Sequence, residues 1–597
     1  MSLLLDFTGC AVLFWGVVFG LGLPLVAGSA LRATEKTVIG AGVGLIAAYL
    51  LGLAAYALPS LPFLRLAMPG CAVILVAFRW RACGEILRDP SVRDLLASYL
   101  LVTVWVLGFL ALVRSYSGAS WALDWLGHYE RAQVFGGIWP TDRALFGNDV
   151  VPSRPPLANV VTGSLLTVTG FSFSQFQILT SLASSLAFLP GWLWAVRIGR
   201  GSRFAPAAFT VLVMVNPSMM ENATFAWTKL PTVFLVLCGL YLFVPIKSEA
   251  SSPSRLSLAF LLLAGGLLTH YSAAPYILSL VAIYVWQRRR EWRSVQAWRQ
   301  AALAALPAAL LLFTWFGWAI ARYGVSDTFL SNTSVTLSHT RSFTGFFTEK
   351  ALNLVNTLVP HLLRAPDYAF IEQSSTLGYV RDFTFLLYQV NLPLLFGSSG
   401  AVVLIRLLVF AWKHASPAPR GQRGFWAWFV GGTIVLGTAA NGGIDAWGIA
   451  HLCLLGLLVL GLAFIAGRID DLSRGWRTAL AIGLAGDFVL GVALQFHLQN
   501  LSFPPSDLAH NAAGVLSAYG PGAWLNLQYK LATGWTFVGD ADVPRPLLLA
   551  GLVLILGMAL GRLRRALTEQ SSVRPDSPYR LLPTETSPSP APPPPSA

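Results

Sequence analysis

The apolar residues of this chain fall in long unbroken runs, not in the alternation of a strand or the stripe of a soluble helix. Runs of about 15 to 25 residues, the length that crosses a bilayer as helix, recur from one end to the other. They predict spans near residues 8–28, 38–58, 66–80, 95–113, 176–198, 204–216, 230–246, 256–270, 273–287, 302–320, 384–411, 425–440, 447–467, 478–496 and 547–562. Between them lie short basic turns and three long polar segments, 114–175, 321–383 and 497–546. The expected fold is therefore an all-α polytopic membrane protein of about 15 transmembrane helices, with 13–15 as the range because 66–80, 204–216 and 273–287 are short.

Charge orients this pattern. With the N-terminus outside, the clusters Arg32/Lys36, Arg79/Arg81/Arg88, Arg197/Arg200/Arg203, Arg288/Arg289/Arg290/Arg293, Lys413/Arg420/Arg423, Arg468/Arg474/Arg477 and Arg562/Arg564/Arg565 all fall on one side. That is the positive-inside pattern, and it accounts for the net charge of +14 without any nucleic-acid partner. The three long segments then lie outside and the C-terminus in the cytoplasm. The start of the chain lacks the basic region and small-residue cleavage site of a secretory signal, and reads as a first span. The tail after Arg565, ending TSPSPAPPPPSA, is expected to be disordered.

Composition narrows the chemistry. The chain is 55% hydrophobic and 11% charged, against about 25% charged in soluble proteins. Its five cysteines are scattered and show no metal or disulfide spacing. GxxxxGK[ST], HExxH and GxSxG are absent from the sequence, so an ATP-driven pump and a zinc protease have no support.

Ionisable residues near a membrane are costly, and mark function by default. Asp124 opens the first long outside segment, followed by His128, Tyr129, Glu130 and Arg131. On a helix Asp124 and His128 share a face. The carboxylate suits a general base or a metal ligand, and equally an N-cap. Arg154 precedes Pro155-Pro156-Leu157 and an apolar helix over 157–169, too short to span and expected along the outer surface. Arg154 would hold a phosphate or snorkel. Lys229 stands at the outer mouth of a span, where a lipid phosphate or Glu221 would answer its charge, or where it snorkels as an interfacial lysine. His270 and Tyr271 form a tight outside turn; a histidine there is more often structural than a ligand. Asp445, Asp507 and His510 are weaker candidates, and Asp487 and Arg406 are ionisable residues at mid-span.

The order of these elements resembles the GT-C superfamily of glycosyltransferases, in particular the protein O-mannosyltransferase and aminoarabinose-transferase type. Asp124, Tyr129, Ala132, Pro155, Pro156, Leu157 and Gly170 match the family pattern. The likeness continues through Asn216-Pro217, WTKLPTVFLVL and GGLLTHYSAAPYIL, and covers roughly residues 95–320. It implies a GT-C-like bundle whose outside loops carry short surface helices. Residues 1–94 add three helices, 95–320 form the catalytic core, 321–565 a C-terminal membrane region, and 566–597 the tail. It further implies transfer of a sugar from a polyprenyl-phosphate carrier to a lipid, glycan or protein acceptor on the non-cytoplasmic face. Asp124 would be the general base. His128, Tyr129, Glu130, Arg154, Glu221, Lys229, His270 and Tyr271 would bind substrate. The family's second acid is here Trp125, so metal binding is left open. The Arg-over-Lys bias fits a GC-rich bacterial genome, hence a bacterial inner membrane. Alternatives are a polysaccharide polymerase or ligase with its site in 497–546, a glycan or lipid transporter using mid-span charges in broken helices, and a non-catalytic relative.

Topology reporters fused at Leu145, Trp292 and Gln570 are expected to read outside, inside and inside. Any other combination moves the polar segments to the opposite face.

Overall fold

A computed structural model describes residues 2–114, 116, 124–140, 142–143, 145, 150–200, 202–244, 253–330, 342–360, 363, 376–389, 391–414, 420–440, 454–500, 534–541 and 543–572, and of Asp124 the backbone only. Every regular element among the described residues is helical. Eight helices are long and apolar enough to cross a bilayer, or up to nine if a bent pair counts as one span. Four shorter apolar helices, Leu157–Thr169, Phe204–Val215, Pro253–Thr269 and Leu455–Gly467, lie among them. Large apolar side chains are left on the outside of the bundle: Leu547, Val553 and Leu554 of the last helix are 69%, 72% and 65% exposed. In water such a surface would drive aggregation; in lipid it is the ordinary outer face. The chain is an integral membrane protein.

The first two helices, α1 (Ser2–Val26) and α2 (Ala33–Ala57), form a tight antiparallel hairpin. Their contact is backbone on backbone. A Cβ added at Gly22 would lie 1.7 Å from the Gly40 carbonyl oxygen, and one at Gly44 would lie 1.8 Å from that of Val18. Small residues four apart permit this approach, and in lipid such packing replaces the hydrophobic effect as the force between helices. Next come α3 (Ala67–Arg88) and α4 (Pro90–Leu110). Asp89 accepts from the Ser91 amide at 2.8 Å to start α4, with Pro90 at its first position.

Three elements carry the first long polar segment: α5 (Asp124–Phe135), a 3₁₀ turn at Val151–Ser153, and α6 (Leu157–Thr169). The structure corrects the expected surface position of α6. Residues 159–166 are all buried, because α6 packs on α2, α5 and α7. The span begins as α7 (Phe173–Ser185) and continues as α8 (Phe188–Ile198); α9 (Phe204–Val215) returns. Next, α10 (Pro217–Thr224) and α11 (Lys229–Phe243) are inclined at 114° across the break 225–228.

Then follow α12 (Pro253–Thr269), α13 (Ala274–Gln287), α14 (Val295–Val325), α15 (Phe343–Leu358), α16 (Thr376–Leu387), α17 (Leu392–Leu395), α18 (Gly400–His414), α19 (Arg420–Ala440), α20 (Leu455–Gly467), α21 (Arg474–Asp487), α22 (Gln495–Asn500) and α23 (Arg545–Ser572). The span expected over 384–411 is broken. Pro393 cannot extend a helix through its nitrogen, and Gly397 takes a left-handed φ of 81° that admits no ordinary side chain. The last helix also runs seven residues past Arg565 before the undescribed tail.

The two ends of α11 differ in character. At one, Glu35 accepts from Arg32 and from the Tyr241 hydroxyl at 2.9 Å, while Arg197 lies 5.3 Å from the Tyr241 ring centre. At the other stands Lys229. The basic turns on Arg32 and Arg197 and the polar residues singled out around Lys229 thus occupy opposite ends of one helix.

Gly44→Val is expected to cost on the order of 1–3 kcal/mol by overpacking, read as a lower melting temperature of the purified protein. Gly9→Ala, where nothing lies within 4 Å of the added Cβ, should leave melting unchanged or slightly raised. Equal behaviour of the two variants would dismiss the close hairpin contact.

Candidate active site

The break at 225–228 builds the centre of the site. Asn216 caps α10 by accepting from the Met219 amide at 2.9 Å, and its own amide donates to the Leu395 carbonyl at 2.9 Å. After Thr224 the chain turns and α11 begins, with Lys229 as its first residue. Lys229 is 5% exposed, and its ammonium lies 3.7 Å from the Trp227 ring centre. A cation over an indole face is a favourable desolvated pairing. The positive end of the α11 dipole points the same way, so the position favours an anion.

Three further groups share this field. His270 is buried in the turn between α12 and α13, where its Nδ1 accepts from the Ser272 amide at 3.0 Å. A neutral ring bonded so carries its proton on Nε2, a donor. Burial first, then the charges of Lys229 and Arg154, hold the His270 imidazole well below the ordinary histidine range. His128 on α5 is 3% exposed and lies 3.2 Å through Nδ1 from Asn159 Oδ1 of α6. With Nδ1 donating, Nε2 keeps a lone pair; this tautomer is assigned from the bond. Burial holds His128 well below the histidine range, helped by Arg154, Arg131 and His270 and opposed by the Asn159 hydrogen bond. His128, Arg154, Lys229 and His270 come from four separate elements and lie within electrostatic reach: Arg154 acts on both histidines, Lys229 on His270 and His270 on His128.

Two residues outside the expected set hold it. Arg131 is fully buried on the His128 face of α5; it donates to Gly127 O at 2.9 Å, Val150 O at 3.2 Å and Ser153 Oγ at 2.8 Å. It thereby fixes the turn that presents Arg154. Asn159 sets the His128 ring. A lone Asn in the apolar run LANVVTG was a signal for the second; the first looks in sequence like any loop arginine.

Other expected residues lie elsewhere. Tyr129 is on a different face of α5, within an aromatic layer of Trp125, Phe173, Phe176, Trp535 and Phe537, and its hydroxyl donates to Phe171 O at 2.7 Å. Glu130 is half-buried on the opposite side from His128. Glu221 is 2% exposed and accepts at 2.7 Å from Gln389, which takes a hydrogen bond from Asn222 at 2.9 Å. The bond drawn by Glu221 is thus to Gln389. Tyr271 donates to Thr328 O at 3.0 Å, bracing the turn against the end of α14. Asp487 accepts from Tyr388 at 3.1 Å and from the Ser398 amide at 2.8 Å, where α21 passes into a π-helix. Asp124 contributes its backbone one turn before His128; its side chain, and Asp445, Asp507 and His510, lie outside the described residues.

Narrow crevices open on either side of the α11 N-terminus. One starts at Lys229 and follows Thr232, Val233 and Val236 down one face of α11, closed opposite by Tyr276 and Leu455. The other is walled by Phe14, Leu45, Leu157, Val161 and Pro231 and headed by His128, Asn159 and Thr228. Among the described residues no group of three His, Cys, Asp or Glu side chains could hold a metal ion.

Neither a protein-family model nor a curated protein matches the chain. Two solved structures are similar to it. One is the crystal structure of ArnT from Cupriavidus metallidurans bound to undecaprenyl phosphate, with 17% identity, a TM-score of 0.42, and coverage of 76% of this chain and 78% of that one. The other is the same protein in the apo state, at 15% identity with the same TM-score and coverage.

Both histidines titrate lower when folded than the roughly 6.5 of an unfolded one, so below that pH the unfolded chain binds more protons. Stability is then fully present above about pH 6.5 and falls as the pH drops, by up to about 1.4 kcal/mol per pH unit for each histidine. Melting measured from pH 8 to pH 5 should show this loss, and a smaller one in His128→Asn/His270→Gln. An identical acid-side loss in that variant would mean the imidazoles are not held neutral.

Proposed function

We propose that this protein is a GT-C-type glycosyltransferase that moves a sugar from a polyprenyl-phosphate donor to an acceptor at the outer end of its helix bundle. One observation carries the reading: the buried Lys229 heads a narrow crevice along α11, with Arg154 and His270 within electrostatic reach. Lys229, Arg154 and the Nε2–H of His270 suit a phosphate. Below Lys229, the stripe Thr232, Val233 and Val236 suits an isoprenoid chain. A lipid phosphate is the ligand that has both parts.

The chemistry follows from the charges. As the bond between the sugar C1 and the phosphate oxygen breaks, negative charge grows on the leaving phosphate. Cations and donors already fixed at that place stabilise it without reorganising, the largest single term in many enzymes. Asp124, one turn before His128, takes the proton of the acceptor hydroxyl as its oxygen attacks C1. Glu130, Glu221, Tyr129 and Tyr271 support the pocket from around it. The enzyme works in a bacterial inner membrane, with its N-terminus and pocket outside and its C-terminus in the cytoplasm.

A second reading, passage of a polyprenyl-linked glycan, draws on the 114° break, since broken helices whose half-helix ends face a ligand also build transporters. Conversion of donor to free polyprenyl phosphate plus glycosylated acceptor by purified protein in detergent separates the two, because transport leaves the donor intact.

The test uses two variants. Lys229→Ala should weaken binding of polyprenyl monophosphate by about tenfold to a hundredfold, the equivalent of roughly 1.5–3 kcal/mol for a charge-assisted hydrogen bond. Lys229→Arg should retain more. Asp124→Asn should slow transfer by about 10²–10⁴ with little change in melting temperature. Unchanged phosphate affinity in Lys229→Ala reduces that lysine to an interfacial anchor. Wild-type turnover in a folded Asp124→Asn removes Asp124 from the chemistry.

A further inference from the structure

The break at 225–228 is tied to the far C-terminal part of the chain by a column of aromatic rings. Phe537 lies 5.3 Å from Tyr116, Tyr116 4.2 Å from Phe225, and Phe225 3.9 Å from Trp227, measured between ring centres. The Lys229 ammonium ends the column, 3.7 Å from the Trp227 ring centre. All four rings are buried. In a close-packed interior a ring cannot shift without displacing its neighbours. The place of Trp227, and of the cation on it, is therefore set from the far end of the column as well as from its own turn.

Hydrogen bonds run beside the rings. The Val538 amide donates to Gln177 Oε1 at 2.9 Å, and Gln177 Nε2 donates to the Tyr116 hydroxyl at 2.8 Å. With both ends of its amide committed, the buried Gln177 of α7 is held in one orientation. The Tyr116 hydroxyl in turn donates at 3.2 Å to the carbonyl of Thr224, the last residue of α10, and receives the Ala226 amide. Tyr116 thus fastens the chain on both sides of Phe225, the first residue of the break. Gly539 seats the C-terminal end of this path. It donates to Val113 O at 3.2 Å, and a Cβ added to it would lie 2.5 Å from that oxygen.

We propose that Tyr116 and Gln177 are positioning residues for Lys229: they carry the seat of residues 537–539 to the break at 225–228 and so fix the ammonium over the Trp227 ring. The proposal rests on the glycosyl-transfer reading, in which Lys229 meets the lipid phosphate, and it gives the C-terminal segment a part in donor binding. A lysine side chain has much rotamer freedom to lose. One already held over an indole face loses less of it when the phosphate arrives, so its contact is worth more affinity. Neither Tyr116 nor Gln177 needs to touch the donor for this; both act through the Phe225–Trp227 turn.

The test measures binding of polyprenyl monophosphate to the full-length protein in nanodiscs. Melting temperature and the rate of reductive methylation at Lys229, read by mass spectrometry, are taken on the same samples. Tyr116→Phe keeps the ring and removes the hydroxyl. It should weaken binding about three- to tenfold, the range of a lost hydrogen bond, and speed methylation of Lys229. Gln177→Leu and Gly539→Ala should do the same. In the Lys229→Ala background Tyr116→Phe should change binding by less than about twofold, because nothing is left to position. Tyr116→Phe joined to Gly539→Ala should lose little more than either alone. Tyr49→Phe gives up a comparable buried bond, to Thr314 at 3.0 Å, and should leave binding and methylation unchanged. Where the wild type binds the phosphate, a folded Tyr116→Phe of wild-type affinity overturns the proposal, and so does an equal loss with and without Lys229. Where the wild type binds none, the glycosyl-transfer reading falls and methylation decides: a faster rate in Tyr116→Phe keeps the positioning, and an unchanged rate sinks both.

Discussion

A chain cannot break inside a bundle surrounded by lipid unless the polar groups freed by the break find partners within the protein. The surroundings of Lys229 depend on how that requirement is met at 225–228. Asn216 holds the start of α10 and reaches Leu395. Ser218 binds the Tyr388 carbonyl. Asn222, Gln389 and Glu221 form a buried chain of hydrogen bonds. The irregular stretch around Tyr388 to Gly397 is thus the counterpart of the break in α10–α11, and each supplies what the other lacks. With α10 so fixed, α11 starts at a set depth, and Lys229 and Thr228 open into separate crevices.

The pocket itself is assembled from short elements that are each held by one or two polar side chains. Arg131 ties three groups of its own loop and presents Arg154. Asn159 orients His128. The Ser272 amide orients His270. In each case a second residue fixes the orientation of the first, the usual route to a preorganised site. Its electrostatic outcome is a concentrated positive field with neutral histidines, able to receive an anion without first rearranging.

Much of this was legible from pattern. The apolar runs located the helices, because a span must be continuous to satisfy its backbone, and the ionisable residues beside them singled out Lys229, His128, Arg154 and His270 as candidates. Direction around a helix was harder. Tyr129 lies next to His128 in sequence but about 100° away on the helix, and turns into an aromatic layer closed by Trp535 and Phe537, residues some four hundred positions later. By proximity Glu221 is the natural answer to Lys229; the hydrogen bond it makes is to Gln389, 168 residues distant. The break of the 384–411 run was foreshadowed by Pro393 and Gly397, but the apolar average hid it. What sequence distance conceals is which polar group pairs with which, and that decides every one of these cases.

The C-terminal part of the chain closes both ends of α4. At its C-terminal end, Gly539 donates to Val113 O at 3.2 Å and accepts from Arg114 at 3.0 Å, while the Val538 amide reaches Gln177 at 2.9 Å. At its N-terminal end Arg562 binds Asp94 and Ser98 across 468 and 464 positions. These contacts have a consequence for how the molecule is made. At about 5–20 residues per second, α4 waits roughly 20 seconds to a minute and a half after its own insertion before α23 is synthesised. During that interval the segment between α4 and α6 has no Trp535 or Phe537 to close its aromatic layer. The nascent chain therefore sits in the membrane with α4 unlatched at both ends, and a ribosome that stops before residue 535 leaves behind a chain whose Tyr129 layer stays open.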